Sequence, residues 1–275
     1  MSRIERAMDK AARIRESGER SFSMEKEVPL VHSRQLVRDI AEISIDKTSA
    51  HECIVSLTEP KSMAAEQYRQ LRARILKAFD KVSPVDTIMI TSSDRKEGKT
   101  VTAINLAVIM ASVADYPVVL VDADLRNPSM HLYLGIEPKY GLRDYLTGDA
   151  SLSAILRKTG IGSLVLLPGS MPAENPAELL SSEKMKHLVH ELKAMFRGGY
   201  VIFDSSPVLL SADPLSLSRL MDSIIFIIHA DVTTEKNAAQ AMSLIRGCKI
   251  LGVVYNDVQF MSVEKPYPRC SPHEK

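Results

Sequence analysis

The chain has 275 residues, 45% of them hydrophobic and 25% charged, proportions that exclude a fully disordered or collagen-like polypeptide. At roughly 150 residues per domain this length fits one large domain or two small ones. Thirty-five Lys and Arg against 34 Asp and Glu leave a net charge of +1, without the basic excess of a dedicated nucleic-acid binder. Apolar runs such as 224–228 fall far short of the ~20 residues of a membrane span, and the charged first 20 residues do not read as a signal peptide. Cys53, Cys248 and Cys270 have neither CxxC nor metal-ligand spacing, so free thiols in a reducing cytoplasm are expected.

The first stretch, 2–17 (SRIERAMDKAARIRES), sets Ile4, Met8, Ala11, Ala12 and Ile14 at near-helical spacing opposite a charged face. Two readings stand: contact with an anionic membrane or a partner helix, or a solvated, marginally stable helix whose basic face acidic residues interrupt. Residues 18–33 lose periodicity and read as a linker. From Pro60 the pattern is regular. Helices are expected over 61–80, 100–113, 175–196 and 234–247. Apolar strands are expected over 87–91, 117–122, 163–167, 200–204, 223–229 and 250–255. Continuous apolar strands alternating with amphipathic helices signal a mostly parallel sheet covered on both faces. Right-handed crossovers then give a doubly wound α/β domain.

The sharpest local signal is Ser93-Asp94-Arg95-Lys96-Glu97-Gly98-Lys99-Thr100, directly after a strand and directly before the helix that continues with Val101. Backbone N–H groups at such a helix start face an anion, and the helix dipole adds a favourable field. Lys99 would reach the β- and γ-phosphates, and the Thr100 hydroxyl would ligate Mg²⁺. The first glycine of GxxxxGK[ST] is replaced by Ser93.

A second constellation supports the first. The run VVLVDADLRNP (118–128) ends a strand with Asp122 and Asp124 at i, i+2, on one side of that strand. Two carboxylates beyond the carboxyl end of a strand suit Mg²⁺ or water coordination, and one can take a proton from an attacking hydroxyl. Alone, they would equally cap a strand exit. Asp204 closes a third apolar strand, YVIFD, at the Walker B position. Together these sites specify a nucleotide triphosphatase core.

A Walker A loop, an aspartate motif on the next strand and a short Walker B form the pattern of deviant-Walker P-loop ATPases. Within that group the chain resembles the bacterial tyrosine autokinases of polysaccharide synthesis (BY-kinases). Glu66-Gln67-Tyr68-Arg69-Gln70-Leu71-Arg72 is similar to the family's ExxRxxR oligomerisation motif, and Asp122 to Pro128 matches its DxDxRxP. Gly141 to Gly148 resembles GLxxxLxG, and Pro168-Gly169 with Asn175 to Ser181 resembles PxG…NPxELLxS. The N-terminal SRIERAMDKAARIRE is similar to the subgroup that accompanies exosortase-linked exopolysaccharide clusters.

The resemblance implies ATP and Mg²⁺ as cofactors and phosphoryl transfer to tyrosine. Lys99, Asp122 and Asp124 would be catalytic, with Thr100, Asp122 and Asp204 holding the metal. Residues 93–101 would bind phosphates, and Asn256 would read adenine. Glu66, Arg69 and Arg72 would build a ring of protomers; read bottom-up, they are an exposed face of helical charges. A separate inner-membrane chain-length regulator is the implied partner, and the implied location is cytoplasmic, peripheral at the inner membrane through it. The implied division is 1–50 for the N-terminal helix and linker, 51–260 for the kinase/ATPase domain and 261–275 for a flexible tail. An ATP-driven assembly switch without kinase activity is the alternative.

Four departures from the family pattern are visible. Arg95-Lys96 stand before Glu97-Gly98 where Pro-Gly is usual. The signature lysine of partition-type relatives would fall at Asp94, and Ser205-Ser206 replace the more usual Pro-Pro. After Asn256 the only tyrosine is Tyr267, between Pro266 and Pro268, where the family has a tyrosine-rich tail. Flanking prolines favour an extended segment able to enter a neighbour's cleft, so Tyr267 reads either as a phosphoacceptor or as an ordinary tail residue.

Overall fold

The structure, a computed structural model, describes residues 40–78, 86–113 and 117–258. The helix expected over 2–17, the linker 18–33, Tyr267 and Cys270 lie outside these residues. In chain order the elements begin with α1 (Val55–Thr58), α2 (Met63–Ala78), β1 (Asp86–Ser92), α3 (Lys99–Ala111), β2 (Val118–Asp122) and α4 (Met130–Leu134). Next come α5 (Leu142–Thr147), α6 (Leu152–Ile155), β3 (Arg157–Lys158), β4 (Leu164–Leu167), α7 (Pro176–Ser181) and α8 (Glu183–Met195). The series closes with β5 (Tyr200–Asp204), α9 (Asp213–Ser218), β6 (Ser223–His229), α10 (Glu235–Leu244) and β7 (Ile250–Asn256).

The strands form one sheet in the order β3-β4-β2-β5-β1-β6-β7, parallel throughout except where β3 pairs with β4. β2, β4 and β5 are buried at every position, as strands covered on both faces must be. The period-2 alternation of side chains builds two apolar layers. Ile88, Ile90, Leu120, Ile202 and Ile225 pack with Ile104 and Leu106 of α3 on one face. Met89, Val121, Phe203 and Phe226, one residue out of step, pack with Leu188 and Leu192 of α8 on the other. Burying each such side chain contributes roughly 1.5–3 kcal/mol.

This order decides where the motifs meet. β5 lies between β1 and β2, with Asp204 in register with Asp122 on one side and Ile90 on the other. The chain therefore leaves the carboxyl ends of three adjacent strands at the phosphate loop, Asp122 and Asp204. Ligands of open α/β sheets bind at such a switch point.

The single helix expected over 175–196 is two helices. Ser182 between them is extended (φ −67°, ψ 156°), and its hydroxyl accepts from Met185 N (3.1 Å) and donates to Leu179 O (2.7 Å). A serine that offers its side chain to the backbone starts a new helix more readily than it continues an old one. The core also begins before the expected boundary at residue 51, since Ile40 and Ile45 are buried in it. Residues 41–43 pair with Lys158, an edge contact that lacks any pattern in the sequence. Among the described residues, Cys53 and Cys248 are free, and no helix is long and apolar enough to cross a membrane.

Candidate active site

The loop from Ser93 to Gly98 joins β1 to the first turn of α3. Gly98 has φ +92°, and a Cβ there would stand 2.1 Å from Asn256 Nδ2, so the position demands glycine. Lys96 also takes a left-handed backbone, with φ +60°. A non-glycine residue in that region costs roughly 1–2 kcal/mol. Gly98→Ala is accordingly expected to lower affinity for ADP by at least about tenfold, since 1.4 kcal/mol is a factor of ten. An unchanged titration curve would show that this turn does not shape the site.

A cleft of about 260 Å³ opens at the loop. Arg95, Lys96 and residues 98–101 line one side, and Asp124, Asn127, Ser129 and Tyr133 line the other. Arg95 and Lys96 are exposed at its mouth, whereas Lys99 is buried. The Lys99 ammonium donates to Asp94 O (3.3 Å). Burial pulls its pKa down, and the charges of Asp204 and Asp124 oppose that shift.

The two strand-end aspartates are fully buried and differ in how they are held. Asp122 Oδ2 accepts from Ser129 N (3.0 Å) and Met130 N (3.1 Å) at the start of α4. Asp204 Oδ2 accepts from the Thr100 hydroxyl (2.6 Å). The remaining oxygen of each, Asp122 Oδ1 and Asp204 Oδ1, is buried without a hydrogen-bond partner among the described residues. Burial raises the Asp122 carboxyl well above the usual range, and the Asp204 charge adds to the rise. Burial also pushes Asp204 up to about 7, with the Thr100 hydrogen bond and Lys99 pulling against it. Asp124, at the cleft wall, is raised chiefly by burial and accepts from Asn127 N (3.2 Å).

The structure thus brings together Lys99, Thr100, Val101, Asp122, Asp124, Asp204 and the loop 93–98. Asn256 meets that loop at Gly98, its Nδ2 donating to Glu97 O (3.2 Å). Glu66, Arg69 and Arg72 sit apart on α2, where Glu66 pairs with Arg69 (2.7 Å). Arg72 is not a free surface charge: its Nη1 donates to Ile109 O (3.1 Å), one of the last carbonyls of α3. Ser205 and Ser206 are buried, and the Ser205 hydroxyl donates to Ile90 O (3.0 Å), which ties the loop after β5 to β1.

Sequence reasoning missed several participants. Tyr133 and Asn127 line the cleft from the segment after the DxDxRxP motif. Asp213, 1% exposed, receives a two-pronged bond from Arg126, at 2.6 Å from Nε and 3.1 Å from Nη2. Thr233 donates to the Glu97 carboxylate across the sheet end. No periodicity or spacing marks Asp213 or Thr233, because both reach the site through tertiary contacts.

Fold and cleft together define a P-loop nucleotide-binding protein. Residues 88–265 match the CobQ/CobB/MinD/ParA nucleotide binding domain. The chain is 38% identical to the tyrosine-protein kinase YwqD of Bacillus subtilis over 207 residues, 74% of this chain and 85% of that one. It spans 30% of the length of a longer, 31% identical tyrosine-protein kinase, ptk, of Acinetobacter johnsonii. The kinase domain of the Escherichia coli tyrosine kinase ETK superposes with a TM-score of 0.71 at 26% identity, over 78% of this chain and 84% of that one. The chimerical protein CapA2B2 gives 0.69 at 27% identity, over 82% and 99%. The chain belongs to the bacterial tyrosine-protein kinases of this nucleotide-binding family.

Proposed function

We propose that the chain transfers the γ-phosphoryl group of ATP to protein tyrosine, its own or a partner's, and so regulates exopolysaccharide polymerisation and export. The observation that carries this reading is the pair of buried, unpartnered oxygens Asp122 Oδ1 and Asp204 Oδ1 on adjacent strands. Buried carboxylate oxygens without partners are costly. A hard divalent cation with oxygen ligands removes that cost, and the donors present here, two carboxylates and the Thr100 hydroxyl, fit Mg²⁺. The Thr100 proton is already committed to Asp204, which leaves its lone pairs for a metal. When bound, Mg²⁺ would neutralise charge on the transferring phosphoryl group.

The protein's own groups do the rest. Lys99 and the loop amides hold the β- and γ-phosphates, and positioning of this kind supplies most of the catalysis in phosphoryl transfer. A tyrosine hydroxyl, with pKa near 10, is a poor nucleophile at neutral pH. Asp122, a carboxylate at the end of β2 beside the metal position, takes the phenolic proton as the new O–P bond forms and ADP leaves. Asp124 stands at the cleft wall to orient the incoming hydroxyl. Asn256, at the end of β7 and hydrogen-bonded to Glu97 O, would read adenine.

The same reading extends to assembly. Glu66, Arg69 and Arg72 form the face through which protomers close a ring, and Tyr267 of one copy enters the cleft of the next. A separate inner-membrane chain-length regulator holds the assembly at the membrane and activates it. The test supplies ATP labelled at the γ-phosphate, with and without that partner's cytoplasmic segment, and follows the label. Label on protein tyrosine is expected. Label released only as free phosphate would instead support an ATP-driven assembly switch.

A further inference from the structure

The phosphate loop departs from its motif at two places that normally relieve strain, yet it holds a left-handed lysine as well as a left-handed glycine. Ser93 replaces the first glycine, and Lys96 carries φ +60°. Strained backbone persists only where its surroundings over-determine it. Glu97 supplies that constraint. The residue is 2% exposed, and its carboxylate accepts from the Ser93 hydroxyl (2.8 Å to Oε1), from Asp94 N (2.8 Å to Oε2) and from the Thr233 hydroxyl. The Thr233 hydroxyl is engaged in both directions, because His229 N donates to it (2.9 Å) and its one proton goes to Glu97. Glu97 O receives Asn256 Nδ2, so the β6–α10 connection and the end of β7 both grip this one residue of the loop.

A buried carboxylate is an expensive way to gain stability, and no ion pair offsets this one among the described residues. What it does achieve is geometric: one acceptor fixes two loop donors against an element outside the loop. We propose that Glu97 and Thr233 are positioning residues, a clasp that shapes the phosphate loop before nucleotide arrives and ties it to the β6–α10 connection. Neither side chain touches the reacting atoms. The clasp rests on reading the cleft as a nucleotide site, but not on tyrosine being the acceptor.

Thr233→Val keeps the shape of the side chain and removes its donor, whereas Thr233→Ser keeps the donor. ADP titration is expected to give a Kd about tenfold higher for the valine variant and near wild type for the serine variant. At saturating ATP, kcat changes less than about twofold, so the loss falls on KM. In nucleotide-free protein, amides of residues 94–98 exchange with solvent faster in Thr233→Val, while the melting temperature stays within a few degrees. Ser93→Ala and Thr233→Val share one acceptor, so their effects on Kd are non-additive. Unchanged ADP affinity in Thr233→Val, additive effects, or failure of serine to rescue would overturn the clasp. If wild type itself binds no ADP, it is the nucleotide reading that fails.

Discussion

Asp204→Asn is expected to abolish Mg²⁺-dependent phosphoryl transfer and, at the same time, to make the nucleotide-free protein more stable at alkaline pH. The two effects come from one carboxyl group. Asp204 is buried beside Asp122, and its pKa of about 7 lies far above the ~4 of an unfolded aspartate. Between those values the folded protein holds a proton that the unfolded chain has released. Stability therefore falls as pH rises through this window, and the full cost is present above pH 7. Asp122, raised in the same direction, adds to the slope. Asparagine cannot ionise, so melting curves without nucleotide should separate the variant from wild type at pH 8 and bring them together near pH 4. With Mg²⁺ and ADP the order reverses, because wild type, which keeps the metal-binding carboxylate, gains more from a ligand that binds the folded state alone. Losing one charge-stabilising contact of this kind typically costs 10²–10³-fold in rate, and at least that is expected here. A variant less stable than wild type at pH 8 would mean that Asp204 is paired by something other than Thr100 and Lys99.

Lys99→Met carries the second large effect. The ammonium is buried, loses pKa to burial and regains part of it from Asp204 and Asp124. Methionine fits the same apolar stem and removes the charge, so the fold should survive and even gain from losing a desolvated cation. Transfer, in contrast, loses the only buried cation that lines the described cleft. Phosphorylation is expected to drop by at least about 10³-fold, with ADP affinity reduced less. Equal losses in folding and activity would assign Lys99 a structural role instead.

Which features are legible in the sequence depends on the kind of contact that makes them. The phosphate loop, Asp122 and Asp204 are legible because each follows or ends a short run centred on apolar residues, and such runs mark buried parallel strands. What local pattern cannot show is that β5 inserts between β1 and β2, which alone sets Asp122 in register with Asp204. The helix break at Ser182 is hidden for a similar reason, since apolar spacing runs on through it while the hydroxyl caps a new helix. Arg72 reads as surface charge yet spends one donor on the carboxyl end of the phosphate-loop helix. Thr233 and Asp213 act through tertiary hydrogen bonds and leave no trace in spacing. The Ser93 substitution, a defect by motif matching, makes sense once its hydroxyl is seen on Glu97.

The most direct test of the central claim is to incubate wild type and Lys99→Met with Mg²⁺ and ATP and map phosphotyrosine by mass spectrometry. Phosphate on a tyrosine of wild type, with Tyr267 the expected position, and none on Lys99→Met is the predicted result. ATP consumed with no phosphotyrosine anywhere on the chain would contradict it.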